Sequence, residues 1–440
     1  LQQIFTALPL LFIFVLWGKC LKTFFSPSCV ITGTWSIFLL AHLLLAPDYK
    51  FSYEAGLVID ILIFAFFSGE LIVNILTRNY FKNINKYVRT EQLYDNKFKK
   101  RLKLTIIILG SISIIGSLLY FYIFYRHFGS FTNLFTAGWL IREEIGAGLI
   151  SVPFAIRFIT LIAYSVVLLS LVYWIRYGFK FFIMMPFVSI LIMGITQAAR
   201  AGTFMMLIII FVASCWKDIF NGLRNVGFRF TKRVLFFSFI ILSIFIVGLM
   251  YREQNFTLDL IDNRQLKVFR IYAFGAISGF SEFIEAYNFE SSLTLGLYSF
   301  SSLFELLGIQ KLAFGFYDEY LFISNANDDY TNVYTIFRSL IEDFGIIGSI
   351  FYMFTLGCIL AFYFKLAIKK NLPAIAFICI MYTLLVYSVI APLTQHNSLL
   401  LSFIMPPLII SIITSKYKSK VNHKLIVNID TPPVSCTLNG

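Results

Sequence analysis

About eleven apolar runs, each near the length a helix needs to cross a bilayer, are joined by loops that alternate between basic and non-basic. The runs are approximately Ile4–Trp17, Val30–Leu45, Leu57–Leu76, Leu104–Tyr125, Phe154–Ile175, Phe181–Thr196, Thr203–Trp216, Val234–Met250, Ser339–Phe364, Pro373–Ile390 and Ser398–Ile413. Inside a bilayer no water is present to hydrogen-bond the backbone, so such runs must close their own bonds as helices. Only 13% of the residues are charged and 59% are hydrophobic, whereas soluble domains carry about 25% charged residues. The expectation is an all-α polytopic membrane protein with about 11 transmembrane helices.

Basic residues set the orientation. Lys19 and Lys22, the cluster from Arg78 to Lys103, Arg176 and Lys180, Lys217 to Arg233, Lys365 to Lys370 and Lys416 to Lys420 mark every second loop as cytoplasmic. The net charge of +13 is held in these short loops, which do not make a nucleic-acid face. The C-terminus is then inside, and an odd count puts the N-terminus outside, which points to a further helix upstream or a mis-set first segment. Four regions result: 1–250 with spans one to eight, 251–338 as a large outer loop, 339–415 with the last three spans, and 416–440 as a cytoplasmic tail.

The outer side is where the chain places its longer connections. Arg126–Pro153 includes Trp139–Gly148, which reads as a short interfacial amphipathic helix. Tyr251–Arg338 is about ninety residues, far beyond ordinary loop length. Its aromatic stretches Leu266–Phe289 and Leu293–Leu307 predict two or three amphipathic helices folded over the membrane as a lid, with no pattern that argues for a sheet. The six cysteines lack metal-ligand spacing and read as small hydrophobes. Between the sixth and seventh spans, Gln197–Gly202 forms an apex that brings Arg200 to the outer surface or below it; Arg157 lies at a similar depth.

The polar residues concentrate where the large loop meets the ninth span. Asn332, Thr335, Ser339 and Asp343 recur at helical spacing as one stripe, and Arg338 and Glu342 are placed to pair at i, i+4. Intramembrane acids are costly unless paired, so such a stripe is a candidate functional site; the alternative is a polar helix end that only positions the span. Arg157, Arg200, Arg264, Arg270 and Arg338 supply guanidinium forks suited to phosphate, and Asp343, Glu342, Glu282 and His396 supply proton acceptors. Asp60 and Glu70 are intramembrane acids outside this cluster, and His42 and His127 read as incidental and interfacial. No phosphate-binding loop, HExxH or Gly-x-Ser-x-Gly motif occurs. Asn325, Asn327 and Asp329 mimic the start of a calcium loop, but Tyr330 and Ile336 stand where Gly and Glu are required, so no metal site is assigned.

Asn332-Val-Tyr-Thr335 followed by Asp343-Phe-Gly345-x-x-Gly348 and Gly357 resembles the oligosaccharide repeat-unit polymerases of O-antigen and capsule synthesis, the Wzy-dependent pathway. Leu295-Gly296 through Gly308, Ala199-Arg200-Ala-Gly202 and Ser26-Pro27 before Trp35 are similar to other segments of that family. The resemblance is loose over most of the chain and more specific over about a quarter of it. It implies a GT-C-like membrane glycosyltransferase of the bacterial inner membrane, with its site facing the periplasm and no cofactor. Its substrate would be an undecaprenyl-pyrophosphate-linked oligosaccharide, with membrane lipids around it and a chain-length regulator protein as a candidate partner. It further implies pyrophosphate-binding roles for Arg200 and Arg270, substrate-binding roles for Arg157 and Arg338, roles at the acceptor or in base chemistry for Asn332, Thr335 and Asp343, and Glu342 or His396 as further candidate bases.

Two rivals stay open. An O-antigen ligase would place a His with arginines in the large loop, but Tyr251–Arg338 has no His. A flippase or other transporter would show charges along several spans and internal symmetry, and neither is visible.

Overall fold

The computed structural model describes residues 2–21, 23–78, 95–130, 133–134, 144, 149–196, 200–222, 232–233, 236–237, 263–287, 293–307, 309, 320–324, 328–391 and 399–414. The chain is a helical membrane protein. The helices are α1 (Gln2–Leu21), α2 (Pro27–Leu45), α3 (Tyr53–Leu76), α4 (Asp95–Phe128), α5 (Phe154–Leu161), α6 (Ala163–Tyr177), α7 (Met185–Thr196), α8 (Arg200–Phe220), α9 (Asn263–Ala286), α10 (Ser301–Leu306), α11 (Ile336–Ile368), α12 (Leu372–Tyr387) and α13 (Leu399–Thr414). Seven stretches are long and apolar enough to cross a membrane, with α5 and α6 counted together. Every expected span falls on a helix except Val234–Met250, which lies almost wholly outside the described residues.

Local chemistry sets the helix starts. Ser26, Ser52 and Asn371 accept from the backbone N–H groups of Cys29, Ala55 and Ala374, and Pro27 and Pro373 occupy first-turn positions that need no N–H. Glu70 is fully buried and joins three helices: it accepts from the Trp17 indole at 2.9 Å and from the Ser28 N–H at 2.6 Å. The second bond satisfies an N-terminal donor of α2 with a negative group.

Helix ends sort the molecule into two poles. Lys365 at the end of α11 donates to Thr77 at the end of α3, Lys217 at the end of α8 lies over Trp174 near the end of α6, and Lys99 near the start of α4 lies over Tyr177. Those ends form a basic pole. At the other pole, Gln3 at the start of α1 meets His42 near the end of α2, so α1 begins on the same side as the structures that cap the bundle.

The cap comprises α9 and an antiparallel hairpin, β1 (Leu321–Ser324) and β2 (Asp329–Thr331), with a bulge between Phe322 and Ser324. A sheet was not expected from the sequence. Asn325 and Asn327 of the run that imitates a calcium loop lie outside the described residues; Asp329 of that run opens β2, preceded by Asp328 at φ +48, a conformation that Asn and Asp tolerate better than most residues. Of the expected lid helices, the first is α9; the second is an irregular turn, Leu295–Phe300, leading into α10. The Trp139–Gly148 segment lies outside the described residues except Glu144, which pairs with His127 at 3.0 Å.

The helices α3 and α11 cross in close backbone contact. A Cβ on Gly357 would sit 2.1 Å from the Phe66 carbonyl oxygen, and one on Gly69 would sit 2.1 Å from the Phe354 carbonyl oxygen. Small residues permit this approach, which in a membrane replaces the hydrophobic drive as the source of packing energy. Gly357→Ala is expected to force the helices apart and cost about 1–3 kcal/mol. A lowered melting temperature in detergent would register it; an unchanged one would mean the crossing is slack.

Candidate functional site

The site is built around the first turns of α11. Its N-terminal residue Ile336 donates its N–H to the Ser388 carbonyl at the end of α12 at 2.9 Å, and Trp35 stacks on Phe337 while donating to the Ser388 hydroxyl. The start of α8 joins the same pole: Phe204 packs on Tyr387, and the Gly202 carbonyl accepts from Tyr164. Arg200 is therefore the first residue of a helix rather than the middle of an apex, and it opens α8 at the cap pole beside α12. Its side chain lies outside the described residues.

Arg338 and Glu342 pair as expected, with Nε to Oε1 at 3.1 Å. The guanidinium is also held over the rings of Tyr334, at 3.9 Å, and Phe283, at 5.0 Å. Stacking and pairing together fix its plane. The Arg338 side chain is 4% exposed and that of Glu342 is 18%, so the carboxylate is the member a substrate can reach.

Asp343 occupies a different environment. It is fully buried and accepts from the Thr294 hydroxyl at 2.5 Å, the Tyr298 N–H at 3.0 Å and the Ser299 N–H at 2.6 Å. A carboxylate so engaged organises the Leu293–Phe300 segment and is poorly placed to take a proton from substrate. Immediately after it α11 breaks, at Gly345, with φ +66 and ψ 177. Only glycine adopts that geometry without strain. The carbonyls of Glu342 and Asp343 instead accept from the backbone N–H groups of Thr294 and Leu295, at 3.3 and 3.0 Å. The helix is thus discontinuous, its first part tied to the cap segment and its second part, roughly 23 residues and about 34 Å, of spanning length.

The expected polar stripe is shorter than its spacing implied. Asn332 is exposed and lies in an extended connection before the helix. Thr335 is the N-cap residue, but its buried hydroxyl makes no cap bond and has no partner among the described residues.

The other expected cations and acids are dispersed. Arg270 is committed to Asp48 by a short ion pair and lies 4.7 Å over Tyr49. Glu282 pairs with Lys50 at 2.9 Å. Arg157 is exposed on α5, which packs chiefly on α4. His396 and the Arg264 side chain lie outside the described residues. Arg270 and Glu282 thus clamp the α2–α3 connection under α9, and Arg270 stands apart from the Arg338 pair.

The sequence reading missed other members of this clamp. Asp329, fully buried in β2, binds Lys267 at 2.6 Å and the Tyr49 hydroxyl at 3.0 Å. His42 is not incidental: Gln3 lies 3.4 Å from its Nδ1 and Ser278 2.8 Å from its Nε2, so it connects α1, α2 and α9. A histidine within an apolar run was itself the available signal.

Burial alone would raise the Asp48 carboxyl, but a backbone hydrogen bond, the Arg270 charge and the Ser324 hydroxyl outweigh it and hold it below the usual carboxylate range. A depressed carboxylate stabilises above its unfolded value and loses that contribution as pH falls through the folded one. The melting difference between the wild type and Asp48→Asn is therefore expected to be constant above about pH 5 and to shrink below about pH 4. A difference that grows on acidification would remove the ion pair from the account of cap stability.

Among the described residues, no group of three or more His, Cys, Asp or Glu is placed to hold a metal ion. No family model, curated protein or solved structure matches the chain.

Proposed function

We propose that the chain polymerises lipid-linked oligosaccharide repeat units, as a GT-C-like glycosyltransferase whose capped pole faces the periplasm. The observation that carries this reading is the Arg338–Glu342 pair, a buried oriented cation beside a reachable carboxylate, on a half-helix at the capped pole. The α11 segment that resembles the polymerases, from Asn332 through Gly348, is the segment that folds into this pair and its break.

In the reaction, an acceptor sugar hydroxyl attacks the anomeric carbon of a glycan carried on undecaprenyl pyrophosphate. The new glycosidic C–O bond forms as the bond to pyrophosphate breaks; the electron pair leaves with the lipid pyrophosphate, and the hydroxyl proton passes to Glu342. Arg200 from α8 stabilises the charge that develops on the leaving group, while Arg338 orients Glu342 towards the acceptor. Thr335 and Asn332 line the approach of the acceptor, and Asp343 positions the segment that frames it.

Purified protein supplied with a lipid-linked repeat unit should yield a ladder of polymer, and Arg200→Ala should suppress it. In cells, loss of the chain should leave glycan of a single repeat unit. Free polymer unattached to a lipid core would instead mean a ligase, and unflipped repeat unit a transporter. Either result replaces the proposal.

A further inference from the structure

The basic pole contains a pocket unrelated to the site above. It has a volume of about 500 Å3 and is lined by Asn96, Lys99, Lys100 and Lys103 of α4, Tyr173 of α6, and Lys180, Phe181 and Phe182 of the turn after α6. The lysines have cation–π neighbours, Lys99 over Tyr177 and Lys103 over Phe182, at 5.3 and 5.7 Å. None of the four forms an ion pair with an acid among the described residues. Asp95, at the start of the same helix, has its side chain outside the described residues.

The local charge indicates an anion. Lys99, Lys100 and Lys103 of α4 converge with Lys180 on one pocket, where their like charges repel. A bound anion relieves that repulsion. The apolar surface around them then identifies the kind of anion. Phe181 is 87% exposed, Phe179 58% and Leu104 56%, so large apolar side chains face outward beside the lysines at the edge of a membrane span. A soluble anion would have no use for that surface, whereas a phospholipid places its acyl chains there and its phosphate among the ammonium groups.

We infer that this pocket is a binding site for the headgroup of an anionic phospholipid in the leaflet at the basic pole. Lys99, Lys103 and Lys180 hold the phosphate, with Phe181 and Leu104 along the acyl chains. The site is independent of the proposed reaction and would stand if that proposal failed.

The test uses the full-length protein purified from vesicles of phosphatidylcholine doped with phosphatidylglycerol, with bound lipid counted by native mass spectrometry. Retained phosphatidylglycerol should exceed its share of the vesicle lipid, and the combined Lys99→Gln, Lys103→Gln, Lys180→Gln variant should lose about tenfold in retention. A control with the same charge change at exposed positions elsewhere, Lys19→Gln, Arg78→Gln, Arg126→Gln, should retain the lipid as the wild type does. Lys180→Gln alone, outside any helix, gives the same reading in smaller amplitude if the triple variant does not fold. Equal retention by pocket variant and wild type, or equal losses in pocket and control variants, would overturn the inference. So would displacement of the lipid by inorganic phosphate as readily as by added phosphatidylglycerol, because that would indicate a site for a free anion.

Discussion

Glu342→Gln is expected to reduce polymer formation by about 10²–10⁴-fold, the usual contribution of a positioned general base. The amide keeps the size of the side chain and an oxygen that can still accept from Arg338 Nε, so the melting temperature, lowered by loss of the counter-charge to a buried guanidinium, should fall less than the activity does. That separation is what distinguishes a chemical role from a structural one. Arg338→Ala should differ by lowering both quantities, because it removes the cation from a partly buried carboxylate and the stack between Tyr334 and Phe283. If Glu342→Gln polymerises at the wild-type rate, the pair is an architectural feature of the half-helix and another acid must take the proton.

The second large effect belongs to the neighbouring residue and has the opposite signature. Asp343→Ala strands the Tyr298 and Ser299 N–H groups inside the protein and frees the Thr294 hydroxyl. Charge-assisted bonds of this kind contribute about 1.5–3 kcal/mol each and are not additive; breaking such a buried set costs about 3–5 kcal/mol. Asp343→Asn should lie between, since its amide oxygen accepts while its NH2 opposes a donor. Thermal melting with hydrogen exchange on residues 293–300 would read the effect directly. Wild-type melting and protected amides in Asp343→Ala would sink the positioning role. Polymer formation should be lost in step with stability, unlike in Glu342→Gln.

These two adjacent acids also show what the sequence could reveal. Apolar runs of bilayer length reported the helices because backbone hydrogen bonding in lipid leaves no alternative. The i, i+4 spacing of Arg338 and Glu342 was enough to pair them, as the structure does. Helical spacing also placed Asn332 and Thr335 on the same stripe as Asp343, but the helix starts only at Ile336. Periodicity cannot locate a helix start when the polar spacing in the sequence continues past it into the preceding connection. Nor could it find the partners of Asp343, which come from residues nearly fifty positions earlier, or show that Arg270 is taken by Asp48. Which charges meet is decided by long-range packing of the cap, and a list of charged residues near one loop does not contain that information. The hairpin was overlooked for a related reason: β1 and β2 are too short for alternation to register.

The crossing of α3 and α11 has a consequence for how the protein is made. Gly69 and Cys358, which touch across it, are 289 residues apart in the chain. At about 5–20 residues per second, α3 resides in the membrane for roughly 15–60 s before its partner leaves the ribosome. Until then Gly69 has no helix to meet, whereas Trp17 and Ser28, the partners of Glu70, precede it in the chain. The order of synthesis thus allows α1, α2 and α3 to join before the docking edge on α3 is closed. Lys365, which later grips the end of α3 at Thr77, closes that edge only after the second part of α11 has been made.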